Sequence, residues 1–176
     1  MTAAANSPPG GRADDAELCV VVACHAFPCA LPARRVVRLL LPDEVPDAAD
    51  GVIRAVDGVF AAWNLGELLQ LGPLGDAWVL LHVPHRGATV PIALQTGVCL
   101  SVQPLATRFP LPPGLFHARP AALWAAFLAH EVRAGQAGLV GLHFDPARAW
   151  TAAELDQSAS AVTSTTPARA RGGGRS

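Results

Sequence analysis

Cysteine and histidine are the side chains of this sequence most able to do chemistry. Three of its four cysteines, Cys19, Cys24 and Cys29, are spaced five residues apart. A metal site would need their sulfurs to converge on one point. On one strand, Cys19 and Cys24 would instead lie on opposite faces, about 16 Å apart at ~3.3 Å per residue. The sequence therefore predicts no metal site, and Cys24 and Cys29 are expected to be reduced and buried.

A cysteine nucleophile would need a histidine base close to its sulfur. Cys24, Cys29 or Cys99 could be combined with His25 or His143, and nothing in the sequence favours one combination. The motifs of serine hydrolases, phosphate-binding loops and zinc proteases (G-x-S-x-G, G-x-x-x-x-G-K-S/T and H-E-x-x-H) are absent. We therefore expect no catalytic residues, no enzymatic activity and no cofactor.

Charge and hydropathy exclude several classes of partner. The 13 basic and 14 acidic residues nearly cancel, and the cluster Arg34, Arg35 and Arg38 contains no aromatic side chain on which a base could stack. His82 and His85, three residues apart, are expected at the surface. The N-terminal residues do not resemble a secretory signal, and no apolar run approaches the roughly 18 residues of a membrane-spanning helix. We expect a cytoplasmic protein without nucleic-acid binding or membrane insertion.

Short Val- and Leu-rich stretches separated by turn residues predict a mainly β domain over residues 17–155. Residues 1–16 and 156–176 are small and polar and are expected to be disordered tails. The expected strands cover residues 18–24, 29–32, 35–41, 51–56, 59–64, 77–83, 88–94, 97–103 and 139–144.

Turn and capping residues indicate how these strands connect. Asp57-Gly58 supplies the positive φ angles of a two-residue hairpin turn, and His85-Arg86-Gly87 indicates a second hairpin. Its second strand contains Pro91 and is expected at a sheet edge. Apolar periodicity after Pro120 predicts a helix over 121–133, and Asp145-Pro146 predicts a short helix over 147–155.

One segment carries a family resemblance. From Gly51 to Leu65 the spacing matches a strand that begins with glycine, a turn and a second strand. Leu65, Leu68, Leu69 and Leu71 then match a leucine-rich turn, with Asn64 where an aspartate is usual. This pattern resembles the CheW-like domain of bacterial chemosensory arrays, and Trp78 to Leu94 resembles its second half.

The turn itself departs from the family pattern. Val56 stands at the position of an arginine, Asp57 at that of a glycine with Gly58 one place later, and Ala61 at that of a proline. The resemblance implies two small five-stranded β-barrels sharing a core, with one helix near the C-terminus. It also implies binding to the regulatory domain of a CheA-type histidine kinase and to the cytoplasmic tip of a methyl-accepting chemoreceptor.

Partner contacts are expected around the altered turn, at Arg54, Val56, Asp57, Gly58 and Trp63. Since strand residues alternate in direction, each apolar member of this set could instead fill the barrel interior. Two other functions fit the same sequence: a β-barrel with a cavity for a small ligand, and a thiol-dependent enzyme.

Overall fold

The computed structural model describes residues 16–44, 50–75, 77–105, 109–111, 122–128 and 140–165. Within them, eleven strands form two sheets and two α-helices are present. The strands are β1 (Glu17–Cys24), β2 (Phe27–Pro32), β3 (Val36–Leu40), β4 (Val52–Ala55), β5 (Gly58–Asn64), β6 (Ala77–His85), β7 (Ala88–Thr96), β8 (Cys99–Leu105), β9 (Phe109–Pro110), β10 (Leu123–Leu128) and β11 (Val140–Phe144). The helices are α1 (Leu65–Leu68) and α2 (Ala152–Thr165).

The two sheets differ in how the chain builds them. The five-stranded sheet, in the order β3-β6-β7-β5-β4, comes from one continuous segment. The six-stranded sheet, in the order β8-β1-β2-β11-β10-β9, combines strands from both sides of that segment. Each sheet contains one parallel pair, β5 with β7 and β2 with β11, and its other pairs are antiparallel.

The five-stranded sheet curls so that its edge strand β3 approaches the β4–β5 turn. All five strands contribute to one buried cluster, formed by Leu40, Ile53, Phe60, Trp78, Leu80 and Ala93. In addition, Arg38 of β3 forms an ion pair with Asp57 of the β4–β5 turn, with 3.5 Å between Nη1 and Oδ2. The sheet is therefore barrel-like, with a filled interior.

A second cluster joins the sheets. It contains Val20, Val22, Cys24, Cys29 and Leu31 from one sheet and Val79, Leu81, Val83, Val90, Ile92 and Leu94 from the other. Phe144, Trp150 and Leu155 extend it towards α2. Burial of a large aliphatic or aromatic side chain contributes about 1.5–3 kcal/mol, so this shared core is the main source of stability. The opposite face of the six-stranded sheet buries Cys19, Val21, Ala30 and Leu105.

The predicted strands are confirmed within two residues at each end. Both hairpins are also confirmed, with one shift: the first turn consists of Val56 and Asp57, and Gly58 opens β5 with a φ of +132°. The second turn consists of Arg86 and Gly87, whose φ values are 47° and 78°. Positive φ at both central residues matches the turn type that two-residue hairpins favour.

The helix predicted over 121–133 is wrong, because residues 123–128 form β10, paired with β11 and β9. A short apolar run fits either period, and here pairing with other strands decided the outcome. Residues 121 and 129–133 lie outside the described residues.

Two further expectations are corrected. Pro91 lies in a central strand, but β7 begins to pair with β5 only at Ile92, so the missing N–H interrupts no pairing with β5. Residues 156–165 belong to α2 rather than to a disordered tail. The parts of the two predicted tails at 1–15 and 166–176 lie outside the described residues.

Candidate interaction surface

Four of the five predicted partner-binding residues lie together at the β4–β5 turn. Arg54, Asp57 and Gly58 are exposed, and 86% of the Val56 surface is accessible. We call these four residues the hairpin tip. An apolar side chain this exposed adds nothing to the core, so the interior alternative fails for Val56. The neighbouring Phe60 does fill the interior, because it is 1% exposed.

Charged groups fix the base of the hairpin tip. Arg38 contacts Asp57 on one side and Glu44 on the other, with 3.1 Å between Nη2 and Oε1 of Glu44. The backbone N–H of Leu41 donates to Glu44 Oε2 at 3.0 Å. This hydrogen bond and the Arg38 guanidinium lower the pKa of Glu44. The apolar side chain of Val56 thus projects from a group of charged side chains.

Trp63, the fifth predicted residue, does not join the hairpin tip. It lies five residues after Gly58 along β5, which is about 16 Å at ~3.3 Å per residue. Its side chain is half-buried beneath α2. Its Nε1 donates to Ser158 Oγ at 3.1 Å, and its ring packs edge-on against Trp150 with centroids 6.0 Å apart. Trp63 therefore attaches the C-terminal helix to the shared core.

His85 has a related structural role. It was expected at the surface, but its side chain is only 12% exposed, and its Nε2 lies 2.7 Å from Asp156 Oδ1 of α2. Arg86 reaches the other carboxylate oxygen at 3.0 Å. The hydrogen bond from His85 is the main reason that the pKa of Asp156 is lowered. The β6–β7 hairpin therefore holds one side of α2.

Asn64 organises the turn that follows β5. Its Oδ1 accepts hydrogen bonds from the backbone N–H groups of Gly66, Glu67 and Leu74. Its Nδ2 donates to Leu74 O at 2.7 Å and to Gln95 Oε1 at 2.9 Å. An aspartate carboxylate could accept the three hydrogen bonds from the backbone, but it could not donate the two that Nδ2 donates. Beside it lies a cleft of about 350 Å³ that includes Trp63, Leu68 and Trp78.

Four of the exposed large apolar side chains among the described residues lie on the other sheet. Leu18, Val98, Leu100 and Val102 are each 51–56% exposed. We call them the β8 edge, because β8 is the terminal strand of its sheet and pairs with β1 alone among the described strands. Contiguous exposed apolar residues typically mark an interaction site. These residues could not be grouped from the sequence, because Leu18 joins the others only through the pairing of β1 with β8.

The structure places the cysteine side chains differently from the cysteine–histidine combinations considered in the sequence. Cys24 and Cys29 are buried, which raises the pKa of Cys24 to about 11 and also raises the pKa of Cys29 well above its ordinary value. Cys99 is exposed. His143 is brought to Cys19, with 3.6 Å between Nε2 and Sγ. Because both side chains are fully buried, a substrate has no access to this pair.

Comparison with known proteins gives a match to the fold but none to the sequence. No protein-family model matches the sequence, and no curated protein matches it either. Among solved structures, the chain is similar to the crystal structure of the scaffolding protein TtCheW from Thermoanaerobacter tengcongensis, with a TM-score of 0.51. The match covers 73% of this chain and 88% of that one at 11% identity. The fold is therefore mainly β and CheW-like, as predicted.

The described part of the chain contains no helix with the length and apolar composition required to cross a bilayer.

Proposed function

We propose that this chain is a non-catalytic cytoplasmic adaptor that couples a chemoreceptor to a CheA-type histidine kinase. The observation that carries the proposal is the β8 edge, where four exposed apolar side chains lie along the terminal strand of a sheet in a CheW-like fold. The CheW-like fold and the spacing from Gly51 to Leu65 support this choice of partners.

The β8 edge is assigned to the regulatory domain of the kinase. A strand edge offers N–H and C=O groups to a neighbouring strand, and aliphatic side chains beside it provide area to bury. Leu18, Leu100 and Val102 supply such side chains. A β-rich partner can use both features at once, whereas a helix can use only the apolar ones.

The hairpin tip is assigned to the cytoplasmic tip of the receptor. Val56 projects from a base of charged groups, which is the arrangement of an apolar anchor with a polar rim. Because Val56 replaces the arginine of the family pattern, the receptor site that accepts it should be apolar rather than acidic. The proposal thus includes a redirected receptor specificity.

Three exposed valines allow a matched test. Val102 lies on the β8 edge, Val56 at the hairpin tip and Val37 on β3, outside both surfaces. Each is changed to aspartate, and binding to the kinase regulatory domain and to a receptor cytoplasmic fragment from the same genome is measured by calorimetry. Val102→Asp should weaken kinase binding at least tenfold, and Val56→Asp should do the same for the receptor. Val37→Asp should affect neither.

The outcomes separate the assignments from the function. If the wild-type chain binds neither partner, the adaptor function is excluded. If Val37→Asp weakens both partners as strongly as the other two variants do, the surfaces are assigned wrongly. The circular dichroism spectrum of each variant establishes that folding is retained.

A further inference from the structure

Three side chains from distant parts of the sequence meet inside the six-stranded sheet. Glu17 and Cys19 lie two residues apart on β1 and so share a face, and His143 belongs to β11. Both strands flank β2, where Ala30 pairs with Val21 on one side and with His143 on the other. Because Ala30 is small, the side chains of Cys19 and His143 can meet across it.

Two of the three distances between the candidate ligand atoms fit one central ion. His143 Nε2 lies 3.6 Å from Cys19 Sγ and 3.5 Å from Glu17 Oε2, and the donor atoms of all three residues lie within 4.8 Å of one another. A tetrahedral zinc ion with bonds of about 2.0–2.3 Å separates its ligand atoms by about 3.3–3.6 Å. By contrast, 3.5 Å is too long for a direct N–H···O hydrogen bond.

Charge and ligand type agree with this geometry. A thiolate and a carboxylate together balance a divalent charge, so the loaded cluster would be neutral in a buried place. Sulfur and imidazole nitrogen favour zinc over calcium or magnesium, which prefer oxygen ligands. The second carboxylate oxygen of Glu17 contacts the Arg34 guanidinium. Such a hydrogen bond to the other oxygen is typical of a carboxylate that binds a metal.

We propose that Glu17, Cys19 and His143 bind one zinc ion. Cys19 and His143 are fully buried, whereas the Glu17 side chain is 15% exposed, so the ion would be reached from the Glu17 side. The site would connect β1 to β11 across β2 and so join the N-terminal and C-terminal parts of the sheet. It is independent of the adaptor function.

The test uses the full chain, freed of metal with a chelator and titrated with zinc against a chromophoric competitor. We expect one zinc ion per chain, a higher Tm with zinc than with magnesium, and a thiolate-to-metal charge-transfer band when cobalt replaces zinc. Cys19→Ser should lower the affinity more than about 100-fold, since even outer-shell partners contribute about 10–100-fold. The control is Cys29→Ser, a buried cysteine on the opposite face of the sheet.

Three results would overturn the proposal. They are no zinc binding by the wild-type chain, equal loss of affinity in Cys19→Ser and Cys29→Ser, and a cobalt spectrum without the thiolate band. If Cys19→Ser does not fold, Glu17→Gln takes its place because Glu17 is partly exposed. Unchanged zinc affinity in a folded Glu17→Gln variant would also refute the site.

Discussion

Truncation of α2 tests whether the C-terminal helix belongs to the folded domain. One variant ends after Leu155, where the sequence predicts the start of a disordered tail, and the control ends after Thr165, where α2 ends. The shorter chain loses Ser158 and with it the hydrogen bond to the Trp63 indole. It also loses Ala159 and Val162, which pack against the shared core.

The size of the effect follows from these contacts. A buried hydrogen bond contributes about 1 kcal/mol, and the half-buried Ala159 and Val162 contribute about 1–2 kcal/mol together. Since Asp156 and its contacts to His85 and Arg86 are lost as well, the free energy of unfolding should fall by at least about 2–3 kcal/mol. For a chain of this size, each kcal/mol changes the Tm by about 2–4 °C, so a decrease of roughly 5–10 °C is expected.

Urea unfolding followed by tryptophan fluorescence measures this difference, and Trp63 and Trp150 report on the packing that is lost. The chain ending after Thr165 should unfold like the full chain. Equal stability of the two truncated chains would refute the role assigned to α2, because the contacts of Trp63 and Val162 would then contribute nothing.

Three further predictions concern titration and capping. In a thiol assay at pH 8 the native chain should react at Cys99 alone, since a pKa of about 11 leaves Cys24 about one part in a thousand ionised. Asp156→Asn should lower the Tm above the ordinary pKa of 3.8 and have less effect as the pH falls through the lowered folded value. Asn64→Asp should destabilise the chain by about 1–3 kcal/mol, because both Nδ2 hydrogen bonds are lost.

Each of these predictions has a contrary result. Reaction of more than one thiol in the native chain would contradict the burial of Cys19, Cys24 and Cys29. A Tm difference for Asp156→Asn that does not shrink in acid would show that the carboxylate charge is irrelevant. If Asn64→Asp is as stable as the wild-type chain in urea, the two hydrogen bonds that Asn64 Nδ2 donates contribute nothing to the free energy of unfolding.

Nine of the eleven described strands, all except β9 and β10, could be predicted because their signals are local. Alternating apolar residues and turn residues such as Arg86-Gly87 depend on a few neighbouring positions. The start of α2 was also encoded locally: Thr151 and Glu154 form a reciprocal capping box, with 2.7 Å from Thr151 N to Glu154 Oε2. The Asp145-Pro146 signal lies upstream of this pair, so the helix predicted from it over 147–155 begins too early and is too short.

The site residues depended on long-range contacts and were predicted only in part. The exposure of Val56 and its neighbours could be predicted because a turn exposes its residues wherever the strands pack. Trp63 was assigned to the same surface because the sequence does not reveal that α2 folds back over β5. The Cys19–His143 contact joins residues 124 positions apart, and their approach depends on the parallel pairing of β2 with β11.

The parallel pairing of β2 with β11 also has a consequence for synthesis on the ribosome. The five-stranded sheet needs only residues 36–96 and can form while the rest of the chain is being made. Strand β2, although made earlier, must wait for residues 140–144 before its second neighbour exists. Loop closure over such a separation is slow. The nascent chain is therefore expected to expose the β2 edge longest, and chaperones would act there.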